Sequence, residues 1–213
     1  MARTNLPLTT PKSRRTREEL LAAAQRTFEA LGYFETRVAD IAKAAHVSHG
    51  TFYTYFDSKD DVLRELVDVL ADDLFTASAE GVGAHTSPFE ALEDTIRTFM
   101  HAYRDRAGMI RILEQATASS DEFLRVRLEI RKRFSARIEQ ALWTQRGRHG
   151  SVDPNASDRL DPTIGAYALG GMVEDFARGC YILHQLVEED EAISTLAVIW
   201  ARAVGLPQGS ART

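Results

Sequence analysis

The sequence predicts an all-α fold of nine helices. Apolar residues recur at spacings of three and four along most of the 213-residue chain, which is the period of a helix with one buried face. Three of these stretches open with a hydroxyl residue and early acidic positions, at Thr16, Ser58 and Ser87, as helix N-termini do. No run alternates apolar and polar residues well enough to predict a strand.

Residues 1–15 are predicted to form a flexible basic arm. They contain two prolines and three threonines but few large apolar side chains, so they cannot contribute much to a core. Residues 1–17 hold five basic residues and no acidic one. Arg14 and Arg15 therefore suit contact with the minor groove of DNA, and a solvated tail is the alternative.

Residues 16–60 are predicted to fold as three short helices in one small unit. The first helix begins with a capping box at Thr16 and stops at Gly32, a residue that accepts a left-handed turn without a steric penalty. An isolated helix of this length is marginal in water. It is therefore expected to pack on the two helices that follow.

Those two helices have the pattern of a helix-turn-helix. The apolar residues of the second helix share one face, and Ser48 is a preferred N-cap for the third. Phe52 and Phe56 face inward from the third helix, whereas its other side carries small and polar residues. Two short helices joined by such a turn place the second one in the major groove. We therefore expect residues 16–60 to bind DNA.

Residues 61–213 are predicted to form a larger helical domain. A fourth helix starts at Ser58 and continues without a stop to about residue 78, so it should act as a rigid strut. The later helices are predicted at 88–104, 109–117, 120–145, 162–187 and 190–204, with polar loops at 81–87 and 146–160.

The two predicted parts of the chain differ in net charge. The net charge is −5, but residues 1–60 carry nine Lys and Arg against seven Asp and Glu, and the remainder carries 17 against 24. This asymmetry fits a protein whose N-terminal part alone meets a polyanion.

One cysteine, Cys180, excludes an intrachain disulfide framework and a thiolate-rich zinc site. With no leader-like or membrane-spanning run, a cytoplasmic protein is expected.

A set of residues at fixed spacings runs through the predicted DNA-binding unit. They are Phe28, Gly32, Tyr33, Val38, Asp40, Ile41, Ala42, Ala45, Val47, Ser48, Gly50, Thr51, Phe52, Tyr53, Phe56, Lys59 and Leu63. With these residues, positions 16–63 resemble the N-terminal pattern of the tetracycline-repressor (TetR) family of bacterial transcription regulators. So many fixed spacings make the resemblance more specific than a lone short motif. Beyond residue 63 it rests on length and helical pattern alone.

The resemblance implies a homodimer that binds a palindromic operator as a repressor and is released by a small molecule in its C-terminal domain, residues 61–213. The recognition helix would run from Ser48 to Tyr55. Base edges would be read by His49, Gly50 and Tyr53. Phosphates would be held by Thr51, Tyr53, Tyr55 and Lys59, which suits hydroxyl and ammonium donors.

Two positions depart from the family pattern. His46 stands where a glycine is usual, so a non-glycine residue is expected in the left-handed region at a cost on the order of 1 kcal/mol. Arg37 replaces a hydroxyl residue at the start of the second helix, so Thr36 is expected to take over the cap. Both Thr36 and Arg37 are candidate DNA contacts, and Arg37 could meet a phosphate or a base. Both changes affect operator preference rather than DNA binding itself.

Inward aromatic and methionine residues of the later helices are candidates for an apolar ligand site. Such side chains suit an apolar small molecule, and a lipid or its CoA thioester is one candidate. The alternative is that most of them form ordinary core. Arg127 belongs to a basic run expected to be solvated, or it meets an acidic group of the ligand. The candidates are Phe99, Tyr103, Met109, Ile112, Phe123, Arg127, Phe134, Met172 and Phe176.

The last two helices are predicted to form the dimer interface. The eighth helix is rich in glycine and alanine, which weaken a helix unless they allow another helix to approach closely. Ile193, Leu196, Trp200 and Val204 would complete a four-helix contact, and an intramolecular core is the alternative.

A ligand-responsive repressor is the function that the sequence favours, with no catalytic residue, metal or cofactor expected. The alternatives are an all-helical enzyme that uses a central cavity and a constitutive architectural DNA binder. An enzyme would need paired polar groups converging on the cavity. His101, His184 and Glu174 come nearest to a metal site, and coincidence explains them.

Overall fold

The structure, a computed structural model, describes residues 10–80, 87–148, 160–185 and 187–206. Every regular element within these ranges is a helix, which confirms the predicted fold class for the described part of the chain. Residues 1–9 of the predicted arm, most of the two predicted loops (81–86 and 149–159) and the residues after 206 lie outside the description. The elements are α1 (Pro11–Leu31), α2 (Val38–Ala44), α3 (His49–Tyr55), α4 (Lys59–Glu80), α5 (Pro88–Asp105), α6 (Ala107–Thr117), α7 (Asp121–Arg148), α8 (Pro162–Tyr181) and α9 (Glu189–Ala203).

The chain divides into two compact units. The first comprises Met1–Asp72 together with Gly108–Arg127, and the second comprises Asp73–Ala107 together with Leu128–Thr213. Helices α4 and α7 each run from one unit into the other. The predicted functional boundary between residues 60 and 61 stays a prediction.

The first unit has a core built from the inward faces of α1 to α4. Leu20, Phe28, Ile41, Phe52 and Leu63 are completely buried there. Helix α2 packs against both α1 and α3, so the first helix is stabilised by the helix-turn-helix pair, as predicted.

Helix α1 begins earlier than the sequence predicts. Thr10 caps it by accepting a hydrogen bond from the Ser13 amide at 3.2 Å, and Pro11 occupies the first turn, where its missing N–H costs nothing. The Thr16 hydroxyl donates to the Lys12 carbonyl at 3.1 Å instead of capping a helix. The predicted start at Thr16 is therefore wrong, and residues 11–15 are helical rather than a flexible arm.

Helix α8 ends about six residues before the predicted boundary at 187. The chain turns back after Tyr181, and the Gln185 amide donates to the Gly179 carbonyl at 3.0 Å. A Cβ on Gly179 would lie 2.7 Å from the Gln185 side-chain oxygen, the end of a flexible side chain that could move aside. His184 takes a positive φ of 53° within the same turn.

The second unit has a core formed by α5, α8 and α9, which pack on one another. Ile193 and Leu196 of α9 are almost completely buried within it, so the predicted dimer role of these two residues is wrong. Small residues of α8 also serve this core. A Cβ on Gly170 would lie 2.9 Å from Ile138 of α7, which is the close intramolecular approach that the sequence left as the alternative.

Candidate nucleic-acid interface

The turn between α2 and α3 has the predicted left-handed residue. His46 has a φ of 55°, and the amide of Val47 donates to the Ala42 carbonyl at 3.0 Å across the turn. Ser48 then caps α3, because its hydroxyl accepts from the Thr51 amide at 3.0 Å. The predicted helix-turn-helix is confirmed, and its N-cap as well.

Helix α3 has one buried face and one open face. Phe52 and Phe56 are at most 1% exposed and anchor it to the first unit. Tyr53 is 44% exposed, and its ring meets the His49 ring edge-on at a centroid distance of 5.1 Å. Ser48, His49, Gly50 and Thr54 are exposed beside it, and Thr51 and Tyr55 are partly buried.

Gly50 is not required by the packing of the protein itself. A Cβ there would have only the Ser48 hydroxyl within 4 Å, at 3.8 Å, and the φ of Gly50 lies outside the positive range. Because Gly50 has no side chain, no atoms protrude there from the exposed face of the first turn of α3. A closely approaching surface such as the floor of a groove would benefit from this shape.

The start of α2 corrects one predicted DNA contact. Thr36 is 1% exposed, and its hydroxyl donates to the Gly32 carbonyl at 2.7 Å, so it neither caps α2 nor faces solvent. Arg37 is the N-cap instead, and its amide donates to the Asp40 carboxylate at 3.0 Å. The Arg37 side chain is exposed, which leaves it available for the predicted contact.

Lys59 has a structural role that the sequence did not predict. Its ammonium group donates to the carbonyls of Tyr33, Phe34 and Thr36 at 2.7, 3.3 and 2.9 Å. It also lies 4.5 Å from the centre of the Tyr33 ring. Three contacts use all the protons of an ammonium group. Lys59 therefore fixes the loop between α1 and α2, and its predicted phosphate contact stays a prediction.

Arg14 and Arg15 are exposed on α1, and Arg15 pairs with Glu19 at 2.9 Å on the same helix. Because both are helical, the predicted reach of a flexible arm into a minor groove does not apply to them. They can contact a phosphate only from a fixed helical position.

A corner formed by α6 and the start of α7 packs on the loop between α1 and α2 and on α4 within the first unit. The Gln115 side-chain oxygen accepts from the Tyr33 amide at 2.8 Å, and the Phe123 ring meets the Tyr33 ring at 6.1 Å. Glu122 pairs with Arg64 of α4. Burial raises the pKa of Tyr33 to about 12, and the hydrogen bond from its hydroxyl to Asp60 acts in the same direction. No sequence pattern pointed to this corner, because a single glutamine in a helix has no signature.

Comparison with known proteins agrees with this geometry. Residues 20–66 match the family model for bacterial regulatory proteins of the tetR family. The chain is 31% identical over 198 residues to the HTH-type transcriptional regulator EthR of Mycolicibacterium smegmatis, which covers 90% of this chain and 88% of EthR. The chain belongs to the TetR family.

Two further similarities place this TetR-family regulator among its relatives. It is 37% identical over 86 residues to the HTH-type transcriptional repressor KstR2 of Rhodococcus jostii, which covers 40% of this chain and 42% of KstR2. The solved structure of the TetR-family transcriptional regulator PfmR from Thermus thermophilus matches with a TM-score of 0.65 at 19% identity, over 86% of this chain and 97% of that one. This last similarity supports the fold.

The structure does not bring the nine predicted ligand residues of this regulator together in one unit. Met109, Ile112 and Phe123 are at most 3% exposed and belong to the core of the first unit, and their ligand role stays a prediction. Arg127 lies in the same unit, 4.0 Å from the carboxylate of Glu114. The second unit holds Phe99, Tyr103, Phe134, Met172 and Phe176, of which only Tyr103 is fully buried.

Glu189 is the centre of a polar cluster in the second unit with His101, Arg104 and Tyr181. Glu189 accepts from the Tyr181 hydroxyl at 2.6 Å and lies 2.8 Å from His101 and 3.1 Å from Arg104. The Tyr181 hydrogen bond is the main reason that the pKa of Glu189 falls below its usual range. Among the described residues no His, Cys, Asp and Glu group is arranged to hold a metal, and no described helix could cross a membrane.

Proposed function

We propose that this protein is a homodimeric repressor that binds a palindromic operator and leaves it when a small apolar molecule binds. The open face of α3 is the observation that carries the proposal. His49 and Tyr53 are exposed there while Phe52 and Phe56 hold the opposite face in the core. Retention of operator DNA by the wild type but not by a Tyr53→Ala variant tests the assignment.

In the proposed complex, α3 lies in the major groove with His49, Gly50 and Tyr53 facing base edges. A histidine N–H can donate to a purine acceptor, and a glycine lets the backbone come close. Ser48, Thr51 and Tyr55 supply hydroxyl groups for phosphates, and Arg37 adds a charged contact at the start of α2. The fixed positions of Arg14 and Arg15 allow phosphate contacts from α1. The relative KstR2 is named a repressor, and this supports repression rather than activation as the proposed effect on transcription.

Release is proposed to depend on the α6–α7 corner. Helices α6 and α7 are continuous in sequence with segments of the second unit. A shift of those segments would therefore displace Gln115 and Phe123. Both residues contact Tyr33, next to the start of α2. A ligand that binds one arrangement of this corner more tightly would shift a pre-existing equilibrium away from the DNA-binding state. The division into a DNA-binding part, 16–60, and a ligand-binding and dimerisation part, 61–213, belongs to this proposal.

The dimer is proposed to form through exposed apolar residues of the last two helices. Ile164 and Tyr167 of α8 are 69% and 46% exposed and lie three residues apart, so they share one face. Ile199 of α9 is 46% exposed, and Trp200 is partly buried. A face of this kind is typical of a contact between identical subunits. These residues replace Ile193 and Leu196 in the interface.

A Tyr167→Glu variant is expected to be monomeric. The substitution would bury two carboxylates, one from each subunit, in an apolar contact without a partner charge. Light scattering on the purified variant measures the mass directly. Val69→Glu is the matched control, because Val69 is 54% exposed on α4 in the first unit and should leave the dimer intact. A dimeric Tyr167→Glu variant would contradict this interface.

A further inference from the structure

Most hydroxyl groups on the open face of α3 are already engaged within the helix. The hydroxyls of Ser48 and Thr51 bond to each other at 2.8 Å, and Ser48 also accepts from the Thr51 amide at 3.0 Å. The Thr54 hydroxyl donates its one proton to a backbone carbonyl of α3 at 3.2 Å. One hydroxyl proton of the Ser48–Thr51 pair is left over, which suits the proposed phosphate contact. The exposed side chains that are left to contact a base are His49 and Tyr53.

These two side chains contact each other and are held from below. They are four positions apart and therefore share a helix face, with their rings perpendicular at a centroid distance of 5.1 Å. The Tyr53 ring also meets the ring of Phe52, which is completely buried, at 5.5 Å. Neither His49 nor Tyr53 makes a hydrogen bond within the part of the chain that the structure describes. The imidazole is thus positioned by a ring that is itself anchored in the core, while its nitrogens stay available.

The chemistry of this face favours guanine over the other bases. Residues 48–55 include no Asn or Gln, which pair with adenine, and no Asp or Glu, which accept from cytosine. An imidazole N–H is a donor, and guanine presents two acceptors, N7 and O6, side by side in the major groove. Gly50 follows His49 and has no side chain, so the backbone can approach closely enough for the short imidazole to reach a base.

We propose that His49 and Tyr53 act as one unit that reads a guanine in each operator half-site. An imidazole N–H of His49 donates to guanine N7, and the Tyr53 ring holds the imidazole in the orientation that this bond needs. The inference rests on the proposed operator binding and names a base that the repressor recognises. Tyr53 is then a positioning residue for His49 in addition to any base contact of its own. The competing explanation is that the two rings only pack together and that His49 meets a phosphate.

Fluorescence anisotropy with modified duplexes separates the two explanations. The full-length protein is titrated with the operator that it retains from genomic DNA, in which each guanine of one half-site is replaced in turn by 7-deazaguanine. This base lacks the N7 acceptor but still pairs with cytosine. We expect the affinity of the wild type to fall about tenfold at one guanine. Replacement of each adenine by 7-deazaadenine is the matched control and should have no effect. A loss at an adenine alone, or at no base, would overturn the inference.

Variants show whether the lost bond belongs to the proposed pair. His49→Ala should bind the unmodified and the 7-deazaguanine duplex within about twofold of each other, because the donor is gone. Tyr53→Phe keeps the ring and should keep the tenfold difference, whereas Tyr53→Leu removes the ring and should reduce the difference to about twofold. Low salt keeps the weaker complexes measurable, because phosphate contacts strengthen as salt falls. Thr54→Ala is the control, since Thr54 is exposed on α3 but lies outside the pair.

Each variant can contradict the proposed pair. A tenfold difference that persists in His49→Ala or Tyr53→Leu, or one that disappears in Tyr53→Phe or Thr54→Ala, would overturn it. Binding of the unmodified duplex by the wild type tests the proposed function separately. A wild type that retains no operator refutes the proposed function and this inference with it. A wild type that binds its operator without a 7-deazaguanine penalty refutes only the reading of guanine by His49.

Discussion

Replacement of Tyr53 by alanine is expected to abolish operator binding while the protein stays folded. Tyr53 is 44% exposed at the centre of the open face of α3, where it also steadies the His49 ring. Loss of one such contact costs about 1–3 kcal/mol per subunit, so a symmetric dimer loses about 2–6 kcal/mol. The folded state should be unaffected, since the buried anchors of α3 are Phe52 and Phe56.

Fluorescence anisotropy with operator DNA measures this loss, and thermal melting shows whether the variant is folded. Phe34→Ala is the matched control, because Phe34 is 57% exposed in the same unit but lies outside α3. It should bind the operator as the wild type does. If the Tyr53→Ala and Phe34→Ala variants bind the operator equally well, the open face of α3 is not the surface that contacts the bases.

Replacement of Lys59 by alanine is expected to lower the stability of the protein, with weaker DNA binding as a consequence. The substitution removes three hydrogen bonds to the carbonyls of Tyr33, Phe34 and Thr36. Hydrogen bonds that involve a charged group contribute about 1.5–3 kcal/mol each but are not additive, so a loss of about 2–4 kcal/mol is expected. Without them the loop that positions α2 would be less ordered.

Thermal melting and the salt dependence of DNA binding together distinguish a structural role from a phosphate contact. A structural role predicts a melting temperature lower by roughly 5–10 °C and an unchanged salt slope. A phosphate contact predicts an unchanged melting temperature and a salt slope smaller by about one per contact. Lys132→Ala, at a lysine that is 70% exposed on α7, should change neither quantity.

The parts of the interface that sequence patterns anticipated are those set by neighbouring residues. The Ser48 cap bonds three residues ahead, and the inward spacing of Phe52 and Phe56 follows from the helical period. The positive φ of His46 follows from the shape of a tight turn in a helix-turn-helix. Each of these features can be predicted from a window of a few residues.

The features that the sequence did not predict depend on residues far apart in the chain. The sequence pattern indicates only a phosphate contact for Lys59, because the backbone carbonyls that its ammonium group meets lie more than 20 positions away and have no sequence signature. Gln115 bonds across 82 positions for the same reason. The start of α1 differs from the predicted one because Thr10 and Thr16 are both good cap residues, and only the structure shows which hydroxyl accepts a hydrogen bond from an amide.

The candidate ligand and dimer residues show the limit of helical periodicity. A period identifies the inward face of a helix, but it does not tell which neighbour that face meets. Phe123 and Phe134 both lie on the inward stripe of α7, yet Phe123 packs on Tyr33 in the first unit and Phe134 on Phe75 in the second. The period of α9 likewise identifies Ile193 and Leu196 as inward residues, and the structure shows that the surface they meet belongs to the same subunit.

Sequencing of the genomic fragments that the purified protein retains tests the central claim most directly. The claim is that two α3 helices of a dimer read a palindrome from successive major grooves. It predicts an enriched inverted repeat whose half-sites are centred roughly 34–36 Å, or one DNA turn, apart, and no enrichment with Tyr53→Ala. Retention of fragments without a shared repeat, or the same repeat retained by Tyr53→Ala, would contradict it.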